Sequence, residues 1–343
     1  MSTISWAVVI LTAVAVGAVL FALEGILMPL MIAGLLSILF RPLVRWLRAH
    51  KVPMAVCLLV VLFITGGLIY GMEQVIEYGV ASASEKATLY SQRLSNLEQQ
   101  AESYSRRLSR EVTGNSRTFD LNGLADPKVL SDMVIGVFPE ILSFVSNAFL
   151  VLLYLVFMVL GSEEFPRKLK AAFSNNASFD VMSVFERSYE KILKYLRVKT
   201  FMNLLMAVLQ VIVLWIFGVD FLPVMFLIIF FLHYIPNIGS VAATVVPAAL
   251  LLVQSGDLGA TILLLIILIV IGNIIGNGLE PRVMGGSLDL SPVVVLFSLL
   301  FWGWMWGIVG MIISVPLMAV LKVFLEHIPS TQPIAVMLGN KAP

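Results

Sequence analysis

Three clusters of polar residues interrupt an otherwise apolar chain, and each has the chemistry to handle a small polar solute. The first is Asn237, inside the string HYIPNIGS at 233–240. Its amide can donate and accept hydrogen bonds, while Pro236 and Gly239 break helix and leave backbone carbonyls available. The alternative is a structural turn whose asparagine caps a half-helix. The second cluster is Glu280 and Arg282, preceded by Asn273 and Asn277 at the i, i+4 spacing that shares a helix face. Ionisable residues near the membrane interior are costly and often functional, so Glu280 is the candidate site for a coupling proton or ion. Its alternative is a local ion pair with Arg282. The third is the alternation Trp302, Trp304, Trp306, in which Trp302 and Trp306 share a helix face and either line a passage or sit at a membrane interface.

Other polar positions carry plainer expectations. Asp220 and Asp289 each precede a proline by three positions and are expected to cap helices, where the N-terminal dipole favours a carboxylate. Gly272 and Gly276 make a G-x-x-x-G step, commonly a packing device. Glu24 reads as a solvated turn, and His233 as a hydrogen-bonded histidine with an ordinary titration. No metal or cofactor is expected: His50, His233 and His327 are scattered, and the single cysteine, Cys57, cannot form an intrachain disulfide.

The elements that must position these residues follow from composition. Of 343 residues, 59% are apolar and 13% charged, against roughly 45–50% and about 25% in soluble domains. Mean hydropathy is +0.99, and 22 basic residues face 21 acidic ones. A soluble globular enzyme, a disordered chain and an electrostatic nucleic-acid binder are excluded. The apolar runs are continuous rather than alternating, which excludes a transmembrane barrel. The fold class expected is therefore an all-α polytopic membrane protein, with about six full transmembrane helices plus two inverted re-entrant helical hairpins.

Spans are expected at 6–23, 25–40, 53–72, 138–160, 200–217 and 259–278, the first two as a helical hairpin. With no basic residue in 1–5, a signal peptide is not expected. Residues 73–137 form a polar, amphipathic helical segment with a loop at 114–126, and 161–199 a second polar segment, helical over 186–199. Net charges of +4 at 41–51, −2 at 73–137 and +3 at 161–199 agree with one alternation under the positive-inside rule, which puts both termini in the cytoplasm. The organisation expected is a membrane scaffold at 1–72, an extracytoplasmic segment at 73–137, a span at 138–160, a cytoplasmic segment at 161–199, a transport core at 200–325 and a tail at 326–343.

The core repeats. The stretch 221–253 is broken by HYIPNIGS, and the stretch 292–325 is broken by FWGWMWG at 301–307. Shifting the chain by 69 positions superposes Asp220 on Asp289, Pro223 on Pro292, Val224 on Val293, Leu227 on Leu296, Val246 on Val315 and Pro247 on Pro316. Arms of about 14 residues reach only about 21 Å, too short to cross comfortably. Each span-plus-hairpin unit (200–254 and 258–325) follows a span of opposite direction, so the two are expected to be inverted. Inverted units with broken helices near the midplane are a recurring build of secondary transporters. The alternative is a helical bundle kinked by Pro and Gly.

The strings HYIPNIGS, GNGLEPRVMG (276–285), LDLSPVVV (288–295), FWGWMWGIVGM (301–311) and SVPL (314–317), with Pro29 in the opening hairpin and a turn at Arg41-Pro42-Leu43, resemble the autoinducer-2 exporter family of bacterial inner-membrane proteins. That resemblance implies a multi-pass permease whose proposed cargo in some members is the quorum-sensing signal autoinducer-2, a small polar furanone derivative. Others look like sodium–proton antiporters. The expected function is export of such a solute by alternating access, with proton or sodium coupling and a homo-oligomeric assembly. A monovalent cation–proton antiporter is the alternative, and a non-transporting oligomeric scaffold the alternative of another class. No nucleotide-binding, H-E-x-x-H or G-x-S-x-G motif occurs, so neither ATP drive nor enzyme activity is expected.

Overall fold

Backbone N–H and C=O groups find no partners in hydrocarbon, so long apolar runs must satisfy them within a helix. A computed structural model describes residues 3–113, 148–162, 164–165, 168, 171, 181–285, 289–327 and 331–339. All the described secondary structure is helical: α1 Thr3–Ala22, α2 Glu24–Ala49, α3 Met54–Thr113, α4 Ala148–Gly161, α5 Val181–Ile216, α6 Leu222–Leu232, α7 Ile238–Ser255, α8 Leu258–Gly272, a π-helical turn at Asn273–Leu279, α9 Glu280–Met284, α10 Pro292–His327 and α11 Gln332–Leu338. Among the described residues six helical segments are long and apolar enough to cross a membrane: Glu24–Ala49, Met54–Lys86, Glu186–Ile216, Ile238–Ser255, Leu258–Met284 and Pro292–Glu326. Large side chains such as Phe63, Phe149, Trp215 and Val293 are exposed on their outer faces, as lipid contact requires. The chain is an all-α, multi-span membrane protein.

Several boundaries differ from those expected. The first two apolar runs do not fold back as a hairpin. Leu23 bends the chain (φ −95°, ψ 15°), but Leu23 N–H still donates to Val19 and Leu27 N–H to the Leu23 carbonyl. Helix α1 therefore runs on into α2, and the cytoplasmic N-terminus loses the reversal on which it rested. Nor is Arg41-Pro42-Leu43 a turn, because α2 continues to Ala49. Its last two turns carry Arg41 and Arg45 over the Tyr189 ring of α5, at 4.3 and 5.8 Å. The boundaries at 72/73 and 199/200 fall inside continuous helices, α3 and α5. The loop expected at 114–126, the first ten residues of the run at 138–160 and most of 163–180 lie outside the described residues.

Each half of the repeat folds as a helical hairpin whose arms start and end together. In hairpin 1, α6 leads to the tip and α7 returns. Its base is closed by Gln254, which accepts from Asp220 N–H at 3.0 Å and donates to the Gly218 carbonyl at 2.7 Å. In hairpin 2, α10 is broken at Trp306 and Gly307, so residues 292–305 and 308–327 form the two arms. Ser298 Oγ donates across them to the Ser314 carbonyl at 3.1 Å, a contact impossible for residues 16 apart in a straight helix. The bases lie at opposite ends of α5. Hairpin 1 follows its C-terminus directly, whereas Glu326 at the base of hairpin 2 pairs with Lys191 near its start at 3.6 Å.

Helices α5 to α8 share one core built on Leu214, Met225, Ile229, Leu251 and Leu264. A second core joins α2, α3 and α4 around Cys57, Val61 and Leu155. The tip of hairpin 2 buries Trp306 against Leu20, Leu27 and Met31 of α1 and α2.

Both tips need a glycine where the returning arm meets the outgoing one. A Cβ on Gly239 would stand 1.7 Å from the Leu232 carbonyl oxygen, and one on Gly310 2.0 Å from that of Trp302. Gly239→Ala and Gly310→Ala should each cost about 3 kcal/mol by overpacking. Gly276→Ala, whose Cβ would meet nothing within 4 Å, should stay within about 1 kcal/mol of the parent. Thermal unfolding of the purified variants in detergent checks the contrast.

Candidate functional site

The site is assembled from two irregularities, the tip of hairpin 1 and the π-helical turn that follows α8. At the tip, Asn237 has φ 59° and ψ −57°, and Ile238 N–H donates to the Pro236 carbonyl at 2.6 Å. That is a γ-turn of the rarer, strained hand. Asn237 precedes α7, and its side chain makes no cap bond. Tyr234 and Thr200 hydroxyls meet at 2.7 Å, and Asn203 donates to the Phe230 carbonyl at 3.3 Å, so the tip is pinned along α5.

The π turn spans Asn273–Leu279 and is followed by Pro281 in the first turn of α9, where proline is tolerated. Such turns are frequent at functional sites. Asn277 Nδ2 donates to Asn273 Oδ1 at 2.8 Å and Asn273 Nδ2 to the Ile269 carbonyl at 2.9 Å. Neither Gly272 nor Gly276 would bring a Cβ within 4 Å of anything. Both line open space, in place of the packing expected for a G-x-x-x-G step.

Between tip and turn lies a cavity of about 780 Å³. Pro236, Asn237, Asn273, Asn277 and Glu280 all line it, together with Tyr195, Lys199, His233, Ser240 and Thr244. Glu280 does not pair with Arg282, which is exposed. Its Oε1 is 2.7 Å from Lys199 Nζ, with side chains only 17% and 10% exposed. The pair ties α5 to α9 across 81 positions of sequence. Lys199 was hidden as the last charge of a polar segment. The signal was its position in a continuous helical pattern that enters a stretch, 200–281, without any Lys or Arg.

Other candidates fall elsewhere. Gly239 is a packing residue behind the tip. Trp302 and Trp306 do share a face, their rings 4.7 Å apart, but they pack against α1 and α2 rather than the cavity. The capping expected of Asp220 is replaced by charge pairing. Its carboxylate accepts from the Tyr90 hydroxyl at 2.6 Å and meets Lys86 at 2.7 Å, while Phe221 holds the N-cap position without a cap bond. Burial first, and donation to Asp220 second, hold the Tyr90 phenol above its ordinary range. Asp289, at the cavity margin, pairs with buried Lys322 at 2.8 Å. The side chain that does cap a helix is Asp257, which accepts from Ala260 N–H at 3.1 Å.

Helical hairpins tied to opposite ends of α5, beside a cavity with polar groups among apolar walls, match the build of membrane transporters. The chain belongs to the AI-2E transporter family, whose sequence profile matches residues 8–330. It is 31% identical over 320 residues to the AI-2 transport protein TqsA of Escherichia coli K12, covering 93% of this chain and 91% of that protein. A putative transport protein of Haemophilus influenzae is 33% identical over 349 residues, with 96% of each chain covered. One of Borreliella burgdorferi is 29% identical over 320 residues, covering 92% of this chain and 85% of that protein.

Breaking the Lys199–Glu280 pair from one side leaves a poorly solvated charge alone. Lys199→Gln or Glu280→Gln should each destabilise by on the order of 2 kcal/mol, and the double variant should recover most of that loss. Denaturation of all three in detergent measures the coupling.

Proposed function

We propose that this protein is a secondary transporter of the bacterial inner membrane. It exports a small polar solute, with autoinducer-2 as the leading cargo, by alternating access coupled to a proton or sodium gradient. The observation that carries this reading is the cavity of about 780 Å³ between the tip of hairpin 1 and the π turn, with the Lys199–Glu280 pair on its wall. Its size suits a small solute, and its amides and hydroxyls supply hydrogen bonds that hydrocarbon cannot. The name of TqsA supports autoinducer-2 as the cargo to test first.

In this reading the hairpins are re-entrant, entering from opposite leaflets, and the core at 200–325 moves against the first half. Asn237, Asn273 and Asn277 contact the cargo. Glu280 carries the coupling ion: protonating it, or replacing Lys199 by a cation, releases α9 from α5 and opens the cavity at that end. The basic end of α2, with Lys51 beyond it, and the C-terminal helix face the cytoplasm. The polar segments at 73–137 and 161–199 provide contacts between subunits of a homo-oligomer.

Reconstituted vesicles provide the test. The parent should move labelled autoinducer-2 faster when a proton or sodium gradient is imposed. Asn237→Ala should reduce flux about tenfold, as expected for one or two lost hydrogen bonds, and Glu280→Gln should abolish the response to the gradient. Cation–proton exchange by the parent without any autoinducer-2 flux would favour an antiporter instead. Unaltered flux in both variants would remove these residues from the pathway.

A further inference from the structure

The hydrogen bonds already made around the cavity restrict what it can bind. Ser240 and Thr244 stand one turn apart on α7 and both line the cavity. Ser240 Oγ donates to the Asn237 carbonyl at 2.8 Å, and Thr244 Oγ1 donates to the Ser240 carbonyl at 2.9 Å. A carbonyl can only accept, so both hydroxyl protons are committed and only lone pairs remain.

His233, also a lining residue, is fixed the same way. Its Nδ1 lies 2.7 Å from the Ile229 carbonyl, which puts the proton on Nδ1 and leaves Nε2 as a bare acceptor. The side chain is 7% exposed and Nε2 is shut off from the open space, so the ring backs the wall without reaching a solute.

Charge points the same way. The two carboxylates of the lining, Glu280 and Asp289, are engaged by Lys199 and Lys322. An anion entering this space would meet paired charges and lone pairs. A hydroxyl-bearing neutral solute would supply donors to the Ser240 and Thr244 lone pairs. Its own oxygens could accept from the second N–H of Asn273 and of Asn277 across the cavity.

We infer that Ser240 and Thr244, backed by His233, form an acceptor wall that selects an uncharged solute by its hydroxyl hydrogens and rejects anionic forms of the same molecule. This specificity rests on the transport reading above, because it assumes that the cavity holds the cargo. Nothing in the wall requires that the cargo then be moved, so binding and flux can be measured apart.

The test is equilibrium binding of labelled autoinducer-2 to the purified full-length protein in detergent. Unlabelled competitors are the same solute, an O-methylated analogue and a phosphate monoester. The methyl ether should compete about tenfold more weakly, as loss of one or two hydrogen bonds implies, and the phosphate ester should not compete. The double variant Ser240→Ala/Thr244→Val should bind about tenfold more weakly at a parental melting temperature, and Thr244→Ser should bind like the parent. Equal competition by the phosphate ester, parental binding by the double variant, or no binding by the parent would overturn the wall. Intact, variant-sensitive binding without vesicle flux would instead sink the transport reading and leave the wall standing.

Discussion

A helix that stops within a packed fold leaves backbone groups without intrahelical partners, and the design of both hairpin tips follows from that constraint. At the first tip the chain bonds to itself: Ile235 N–H donates to the Leu232 carbonyl and Gly239 N–H to that of Ile235, at 2.9 and 3.1 Å. The returning arm can close on those carbonyls only because residue 239 has no Cβ. The second tip meets the same demand with Gly307 in a conformation only glycine adopts freely (φ 60°, ψ −146°) and Gly310 against the Trp302 carbonyl. Both tips are thereby pressed onto protein, the first along α5 and the second against α1 and α2.

The bases face a different problem, since each carries an aspartate whose charge must be paired. Asp220 and Asp289, equivalent in the repeat, solve it with lysines from other parts of the chain: Lys86 on α3 for the first, Lys322 on the returning arm for the second. Lys322 also meets Glu326 at 3.5 Å, and Glu326 reaches Lys191 of α5. The first hairpin is thus tied at its base to the long α3, and the second to α5 and to α11, where the Leu338 carbonyl accepts from Ser291 N–H. Equivalent carboxylates anchor each hairpin to a different neighbour, as two units facing opposite ways require.

Much of this was legible in the residues. Uninterrupted apolar runs state helix and membrane, because without the alternation of a barrel only a helix satisfies a backbone in lipid. The two interruptions at 233–240 and 301–307 mark the tips, and the 69-residue register relates Asp220 to Asp289 and Pro247 to Pro316. Asn273 and Asn277 at i, i+4 spacing do meet. What sequence hid was mostly long-range or geometric. Glu280 has an arginine two residues away, yet its partner is a lysine 81 positions earlier, and only the fold of α5 against α9 decides between them. The aspartates before proline look like caps, but a cap competes with any nearby lysine, and here tertiary pairing wins. The first two runs suggested a hairpin because Glu24 is a lone charge between them. One charged residue at a bend is not enough to reverse a helix when the i→i−4 bonds can continue past it.

The position of the cavity has a common origin with its polarity. A regular helix shows its neighbours only side chains, and in this chain those are overwhelmingly Leu, Ile, Val and Phe. Polar groups gather where the winding changes: at a γ-turn whose Asn237 has positive φ, and at the π turn before Pro281. Asn, Ser and Gly are the residues such backbones favour, so the breaks collect amides and hydroxyls without a separate polar face. Placing the two breaks opposite each other, one on the hairpin and one on the neighbouring span, concentrates that polarity into one chamber. The surrounding walls, including Val241, Val245, Leu265 and Ile269, stay apolar. The Lys199–Glu280 pair then joins α5, which carries the first hairpin, to α9, which leads into the second.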